Sequence, residues 1–330
     1  MKKYFFRLLC AGFWLSGLLP AFAGGKIKVV ATVFPEYDWI RNIAGDKVEL
    51  VLLADKGTDM HSWQPSSMDM VKVSTADVFV YIGGESDKWV EGALATVKNK
   101  NRINVSLMEV LKDCVLEEEI VEGMEAEHEH EEADYEHGEA DYEHGEGEHE
   151  DAEFDEHVWL SVKNARIICN YLTDVLCKAD MKNAQDFRDR NRVYQQKLEG
   201  LDNAFSDAVK KSSRKEILVA DRFPFRYLVE DYGLGYYAAF PGCSAETEAS
   251  FKTVGFLVSK LNEKKFGYVL VLENSDCRLA RTLIRNSKQK SQKILELNSL
   301  QSVSKKQLES GISYIDIMEK NLAALKTALE

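Results

Sequence analysis

The residues of this chain best suited to chemistry are its seven histidines, and six of them fall between positions 128 and 157. The stretch HEHEEADYEHGEADYEHGEGEHEDAEFDEH sets them among carboxylates, with the heptad ADYEHGE in tandem at 133–139 and 140–146. No Lys or Arg occurs from Asp113 to Val162. Imidazole suits borderline divalent ions such as Zn²⁺, and a dense negative field raises the local concentration of any cation. A tract that merely held water would not need a histidine every few residues. The acidic, low-complexity composition argues against a packed core here. We therefore expect a disordered insertion over 117–155, in which His128, His130, His137, His144 and His149 are weak, exchanging metal ligands.

Two histidines remain for a folded site. His61 lies in the polar loop KGTDMHSWQPSSMDM, after the apolar run Val48–Leu53. In parallel α/β sheets such loops, beyond the carboxyl ends of strands, are where ligands bind. His157 lies in DEHVWLSVKNA, just before a long helical pattern. Taken singly, the first reads as a solvated loop residue and the second as a core histidine. Beside the tract, the pair points to the mouth of one lobe.

The elements that must position them alternate. Lys26–Phe34 reads as a strand ended by Pro35, Tyr37–Ala44 as a helix, and Val48–Leu53 as a strand. Met68–Ser74 reads as a short helix, and Asp77–Ile82 as a buried strand closed by Gly83-Gly84. The second half repeats the pattern: strands at Glu216–Ala220, Gly235–Phe240 and Tyr268–Leu272, with helices at Arg226–Asp231 and Phe251–Asn262. This spacing predicts an α/β protein of two lobes, each a parallel-type sheet flanked by helices. Between them, Val162–Lys211 has no Gly or Pro before Gly200. Apolar residues recur there at helical spacing, which predicts a helix to about Lys178 and then a long, stiff one to about Lys211. The expected divisions are a signal peptide over 1–23, an N-terminal metal-binding lobe over 24–161 that carries the insertion, connector helices over 162–211, and a C-terminal lobe over 212–330.

Lys2, Lys3 and Arg7, an apolar run Leu8–Leu19 and Ala21-Phe22-Ala23 have the form of an export signal. The run is too short to span a bilayer. A periplasmic or otherwise extracytoplasmic location with a cleaved leader is expected. The formal charge of −13 is local: of 55 acids, 21 lie between Glu117 and Glu156, leaving 34 against 42 bases elsewhere. Nothing clusters bases with aromatics as a nucleic-acid groove would require. Beyond the leader, Cys114, Cys169, Cys177, Cys243 and Cys277 are odd in number and hold no C-x-x-C, which excludes a disulfide scaffold or a thiolate zinc cluster. Cys243 and Cys277 can pair if their loops meet.

The order of motifs then carries a resemblance. GTDMHSWQPS, ADVFVYIGGE, a His/acid-rich insertion, DEHVWLSVKNA, YLVEDYGL and GCSAETEAS resemble the extracytoplasmic metal-binding proteins of zinc and manganese ABC importers, above all the ZnuA-type members. The resemblance covers essentially all of the chain beyond the leader. It implies two α/β lobes joined by a rigid helix, with the metal held between them. It implies ligands at His61 and His157. At the slot that relatives fill with His or Glu this chain has Arg222, in ADRFPFRYL, and a guanidinium has no lone pair to offer. Either Asp221 supplies an oxygen or the site has fewer protein ligands. The family's fourth position, after YVLVL, offers Asp276 first and Glu273 close behind. Asp155 and Asp59 are candidates to orient the imidazoles by nearness in sequence.

The function so implied is capture of Zn²⁺ between the lobes, with Mn²⁺ as an alternative cargo, and delivery to an ABC permease by a monomeric, non-catalytic protein. A secreted metal buffer, with the tract as main binder, is the rival binding reading. A zinc hydrolase would need an open coordination position and a nearby base. No H-E-x-x-H motif is present.

Overall fold

In the computed structural model, residues 25–55, 57, 59–95, 99–125, 153–244 and 248–330 are described. The expected leader and the tract histidines His128, His130, His137, His144 and His149 lie outside them.

Eight short apolar strands form two sheets. The first contains β1 (Lys28–Ala31), β2 (Glu49–Leu52), β3 (Val78–Tyr81) and β4 (Ile103–Ser106) in the order β2-β1-β3-β4. The second contains β5 (Glu216–Phe223), β6 (Gly235–Pro241), β7 (Tyr268–Leu272) and β8 (Lys293–Leu297) in the order β6-β5-β7-β8. Every pairing is parallel. A parallel neighbour cannot follow through a tight turn, so each strand is succeeded by a crossover, mostly helical. In the first half the helices are α1 (Phe34–Ala44), α2 (Ser67–Ser74), α3 (Trp89–Ala95) and α4 (Leu107–Val110). Sequence reasoning missed the last strand of each sheet. β4 has one fully exposed position and β8 has two, so neither reads as a continuous buried run.

Pro35 does not end a strand by a turn; it sits in the first turn of α1, where its missing N–H costs nothing. Glu36 then reaches back, its Oε2 accepting from Thr32 N at 2.8 Å and Val33 N at 3.3 Å. That closes the junction between β1 and α1.

The connector is a helical pair, α5 (Val162–Ala179) and α6 (Ala184–Lys211). Ser161 caps α5 by accepting from Asn164 N at 2.9 Å. Val162, Ala165, Ile168, Cys169, Leu172, Val175 and Leu176 make its buried stripe. At 1.5 Å per residue, the 28 residues of α6 span about 42 Å. Asn191 Nδ2 donates to Asn170 Oδ1 at 2.8 Å and Gln195 Nε2 to the Arg166 carbonyl at 2.9 Å, tying the two helices.

The second half adds α7 (Arg226–Tyr232), α8 (Phe251–Glu263), α9 (Arg278–Asn286), α10 (Lys305–Glu309) and α11 (Tyr314–Ala328). α11 returns to pack on α6 and α1, so one apolar cluster runs from Ile27 to Leu329 across both halves. Tyr314 within it lies edge-on to Trp39 at 5.3 Å between ring centres.

The two ends of the expected disordered insertion, 117–125 and 153–155, are ordered instead: Glu117 bridges Phe154, Glu118 N donates to the Glu153 carbonyl at 2.8 Å, and the segment lies against the second lobe. Leu116 N donates to Tyr227 Oη at 3.1 Å, and Glu125 N to the Ala239 carbonyl at 2.9 Å. No helix among the described residues is long and apolar enough to cross a membrane.

Candidate metal centre

His61 follows β2 in a short turn, Met60–Ser62, whose first amides are held by Asp59: its Oδ1 accepts from His61 N at 3.0 Å. His157 lies just ahead of α5, across the junction. Although 96 residues apart, their Nε2 atoms are 3.2 Å from each other. Two nitrogens on one tetrahedral zinc, each about 2.0–2.1 Å from it, would be about 3.3–3.4 Å apart. The observed 3.2 Å, a hydrogen-bond distance, lies close to that spacing, so the two rings are set to share a cation.

The outer ring nitrogens are held as well. His157 Nδ1 is 2.9 Å from Asp155 Oδ1, which also accepts from His157 N at 2.8 Å. Facing a carboxylate, Nδ1 carries the hydrogen and Nε2 is left with its lone pair. His61 Nδ1 is 3.0 Å from Ser86 Oγ. A hydroxyl can donate or accept. For its Nε2 lone pair to face a metal, His61 would carry its hydrogen on Nδ1, with Ser86 Oγ accepting it. Burial, and then the neighbouring His157, pull the His61 pKa down to about 3, with Asp59 opposing and Arg222 adding to the fall. His61 is therefore neutral and open to a metal at ordinary pH.

Ser86 is placed by Glu156, whose Oε1 accepts from its amide at 2.8 Å. Gly84 makes that approach feasible, since a Cβ there would lie 2.4 Å from Glu156 Oε1 and 2.5 Å from its Cγ. Behind His157, Trp159 packs edge-on at 5.3 Å. Trp159 Nε1 donates to the Ser299 carbonyl at 2.8 Å.

A third donor comes from the far lobe. Cys243, just beyond β6, has its Sγ grouped with ring nitrogens of His61 and His157, all within 4.8 Å of one another. Its amide donates to Glu118 Oε1 at 3.0 Å. Burial pushes its thiol far up, with Glu118, Asp155 and Glu156 adding to the rise. Gln301, after β8, has Nε2 3.4 Å from His61 Nε2, and a flip of the amide would present its oxygen instead.

The carboxylates expected as ligands accept hydrogen bonds from backbone amides and a hydroxyl in this structure. Asp221 accepts from Arg222 N at 3.0 Å and Leu272 N at 3.4 Å. Glu273 accepts from Ser299 Oγ at 2.6 Å and Ser299 N at 2.7 Å; burial raises its carboxyl to about 7. Ser299 in turn accepts from Trp159, which packs on His157. Asp276 is exposed just ahead of α9 and accepts from Arg278 N at 2.8 Å. None of the three joins the His61–His157–Cys243 group. Arg222 makes an ion pair with Asp59 across the lobes. Burial alone would raise the Asp59 carboxyl, but the Arg222 charge and hydrogen bonds hold it below its ordinary range. So Asp155 orients an imidazole as expected, while Asp59 holds the His61 amide and Arg222 rather than the ring. Cys243 and Cys277 are free thiols. From the sequence Cys243 reads only as half of a disulfide; its place in GCSAETEAS, beyond a strand's carboxyl end, is the signal that it could lie near the histidines.

These donors meet where both sheets end, between two lobes. A profile for the periplasmic component A of a zinc-uptake complex, ZnuA, matches residues 29–328. The chain belongs to this family. It is 33% identical over 328 residues to the zinc-binding lipoprotein AdcA of Streptococcus pneumoniae, covering 99% of this chain and 61% of that protein. It is 30% identical over 306 residues to the high-affinity zinc uptake system protein ZnuA of Bacillus subtilis, covering 93% and 88%. The chain thus spans about three-fifths of the length of its streptococcal relatives. The Zn(II)-bound ZnuA-like domain of S. pneumoniae AdcA superimposes with a TM-score of 0.69 at 27% identity, over 92% of this chain and 99% of that domain. A periplasmic zinc-binding protein, TroA of Treponema pallidum, shares the fold with a TM-score of 0.71 at 21% identity, over 92% and 99%.

Proposed function

We propose that this chain is the extracytoplasmic solute-binding protein of a zinc importer, which takes Zn²⁺ between its lobes at His61 and His157 and yields it to an ABC permease. The observation that carries this reading is the 3.2 Å approach of two Nε2 atoms from loops 96 residues apart, with His157 turned by Asp155 and His61 held by Ser86. Two imidazoles at tetrahedral spacing favour zinc over manganese, which prefers more oxygen donors. Membership of a zinc-uptake family and likeness to a zinc-bound domain support the same cargo. Such a protein performs no catalysis: an ATPase elsewhere drives transport, and the stiff α5–α6 pair restricts the lobes to small tilts. The His/acid tract, in this reading, collects metal weakly and passes it inward.

A competitive metal titration tests it. Full-length mature chain, a 126–152 deletion, and the His61→Ala/His157→Ala double variant would be compared. One tight zinc site should survive the deletion and vanish in the double variant. If the tight site is lost with the tract instead, the chain is a metal buffer and the importer reading falls.

A further inference from the structure

We propose that Cys243 is the third protein ligand of the interlobe metal and that its sulfur makes the site select zinc over manganese. The inference rests on the interlobe reading above and names a donor that its two histidines leave open. Cys243 Sγ, His61 and His157 form the group of closely spaced ligand atoms found among the described residues. Two Zn–N bonds and one Zn–S bond of about 2.3 Å would put sulfur about 3.6 Å from each nitrogen, inside the observed limit.

Three features of the surrounding chain aim this sulfur rather than leave it there by chance. Gly242, the residue before it, runs directly under the His157 ring: a Cβ there would meet Phe223 O at 3.0 Å and His157 Cε1 at 3.1 Å. A side chain there would press on both, so the bare glycine suits this close approach. Glu118, from the root of the insertion, fixes the Cys243 amide at 3.0 Å. From the same flank, Glu125 Oε2 accepts from Ser250 N at 2.9 Å and Thr253 Oγ1 at 2.8 Å, at the start of α8. Cys243 and the first turn of α8 are thus both tied to the chain flanking the His/acid tract.

The competing donors are withdrawn. Arg222 is bound to Asp59, and Asp221, Glu273 and Asp276 have their own amide partners. On binding, the thiol releases one proton to solvent and the thiolate forms the metal–sulfur bond, so charge and atoms balance. Thiolate is a soft donor that suits zinc and is poorly matched to manganese. A site of two imidazoles and one thiolate keeps a fourth position, which Gln301 or water can reach.

Cobalt substitution tests this on the full-length chain. Co²⁺ bound by wild type should show a sulfur-to-metal charge-transfer band in the near ultraviolet. The band should persist in Cys114→Ser and Cys277→Ser and vanish in Cys243→Ser. Zinc affinity should fall on the order of 100-fold in Cys243→Ser with manganese affinity little changed, collapsing the selectivity. If Co²⁺ binds wild type in a manner that needs His61 and His157 yet shows no such band, Cys243 is not a ligand and the inference fails while the importer reading stands. If cobalt binding is indifferent to both histidines, the importer reading fails and takes this inference with it. A wild type without the band refutes the proposal whether or not Cys243→Ser folds, and loss of the band in Cys114→Ser or Cys277→Ser would refute it as well.

Discussion

Asp155→Asn isolates what the carboxylate does for the metal. Asp155 Oδ1 takes two hydrogen bonds from His157, one from the amide at 2.8 Å and one from Nδ1 at 2.9 Å. The Asp155 backbone is anchored separately: its N donates to the Leu116 carbonyl at 2.9 Å, and its carbonyl accepts from Tyr227 Oη at 2.7 Å. Asparagine is nearly the same size, so residue 155 should stay in place. What changes is the acceptor. A neutral amide no longer favours hydrogen on Nδ1 so strongly, and its NH₂ can turn toward the ring and reverse the tautomer. His157 would then point N–H, not a lone pair, at the cation. Loss of such an orienting partner costs about 10–100-fold in metal affinity, or about 1.4–2.7 kcal/mol. Zinc competition against a chromogenic chelator would read that loss directly. The stabilisation that saturating zinc gives to thermal unfolding should shrink by the same amount, since it follows the logarithm of the affinity. A zinc affinity within threefold of wild type, in a background where His157→Ala abolishes tight binding, would refute the reasoning.

Three further outcomes follow from other parts of the molecule. Arg222→Gln removes a positive charge that acts on His61 and breaks the ion pair to Asp59, so zinc should dissociate about threefold to tenfold more slowly; stopped-flow rates equal to wild type would remove any role of this arginine in release. Glu36 has its carboxyl raised to about 8 by burial first and Asp87 second, against 4.5 when unfolded. Between these values the folded chain holds the extra proton, so this group's contribution is intact below about 4.5 and is lost as pH climbs to about 8, at up to about 1.4 kcal/mol per unit. Glu36→Gln should reduce that slope in denaturant titrations at pH 5, 6.5 and 8, and parallel slopes would contradict it. Gly84→Ala would drive a methyl into Glu156, so it should lower stability by about 1–3 kcal/mol and weaken zinc binding through Ser86; an unchanged melting temperature would show that Glu156 moves aside freely.

The two-lobe α/β architecture was legible because runs such as KVVA, VFVY and YVLVL are short, β-branched or apolar, and separated by helical spacing. β4 and β8 escaped notice for the opposite reason, since they expose residues to solvent and lack a continuous apolar run. His61 and His157 were legible as candidates because imidazole is scarce outside the tract and each stands beside a recognisable motif. Their partner Asp155 was also visible, two residues away and short enough to reach back.

The rest of the ligand set was decided in three dimensions. Asp221, Glu273 and Asp276 stand at suitable positions along the chain. A carboxylate is equally content on a backbone amide, and only the fold reveals which amides are within reach: Leu272 N, Ser299 N and Arg278 N. Cys243 looks in sequence like half of a disulfide, yet the course of β6 and the bare Gly242 bring its sulfur beside the imidazoles. Residue chemistry and local spacing thus determined the kind of fold and pointed to a divalent cation. Which donors come together depends on side-chain direction and on competing hydrogen bonds, some local, as from Arg278 to Asp276, and some from residues as far as 240 positions away, and the distant ones form only when the two lobes pack together.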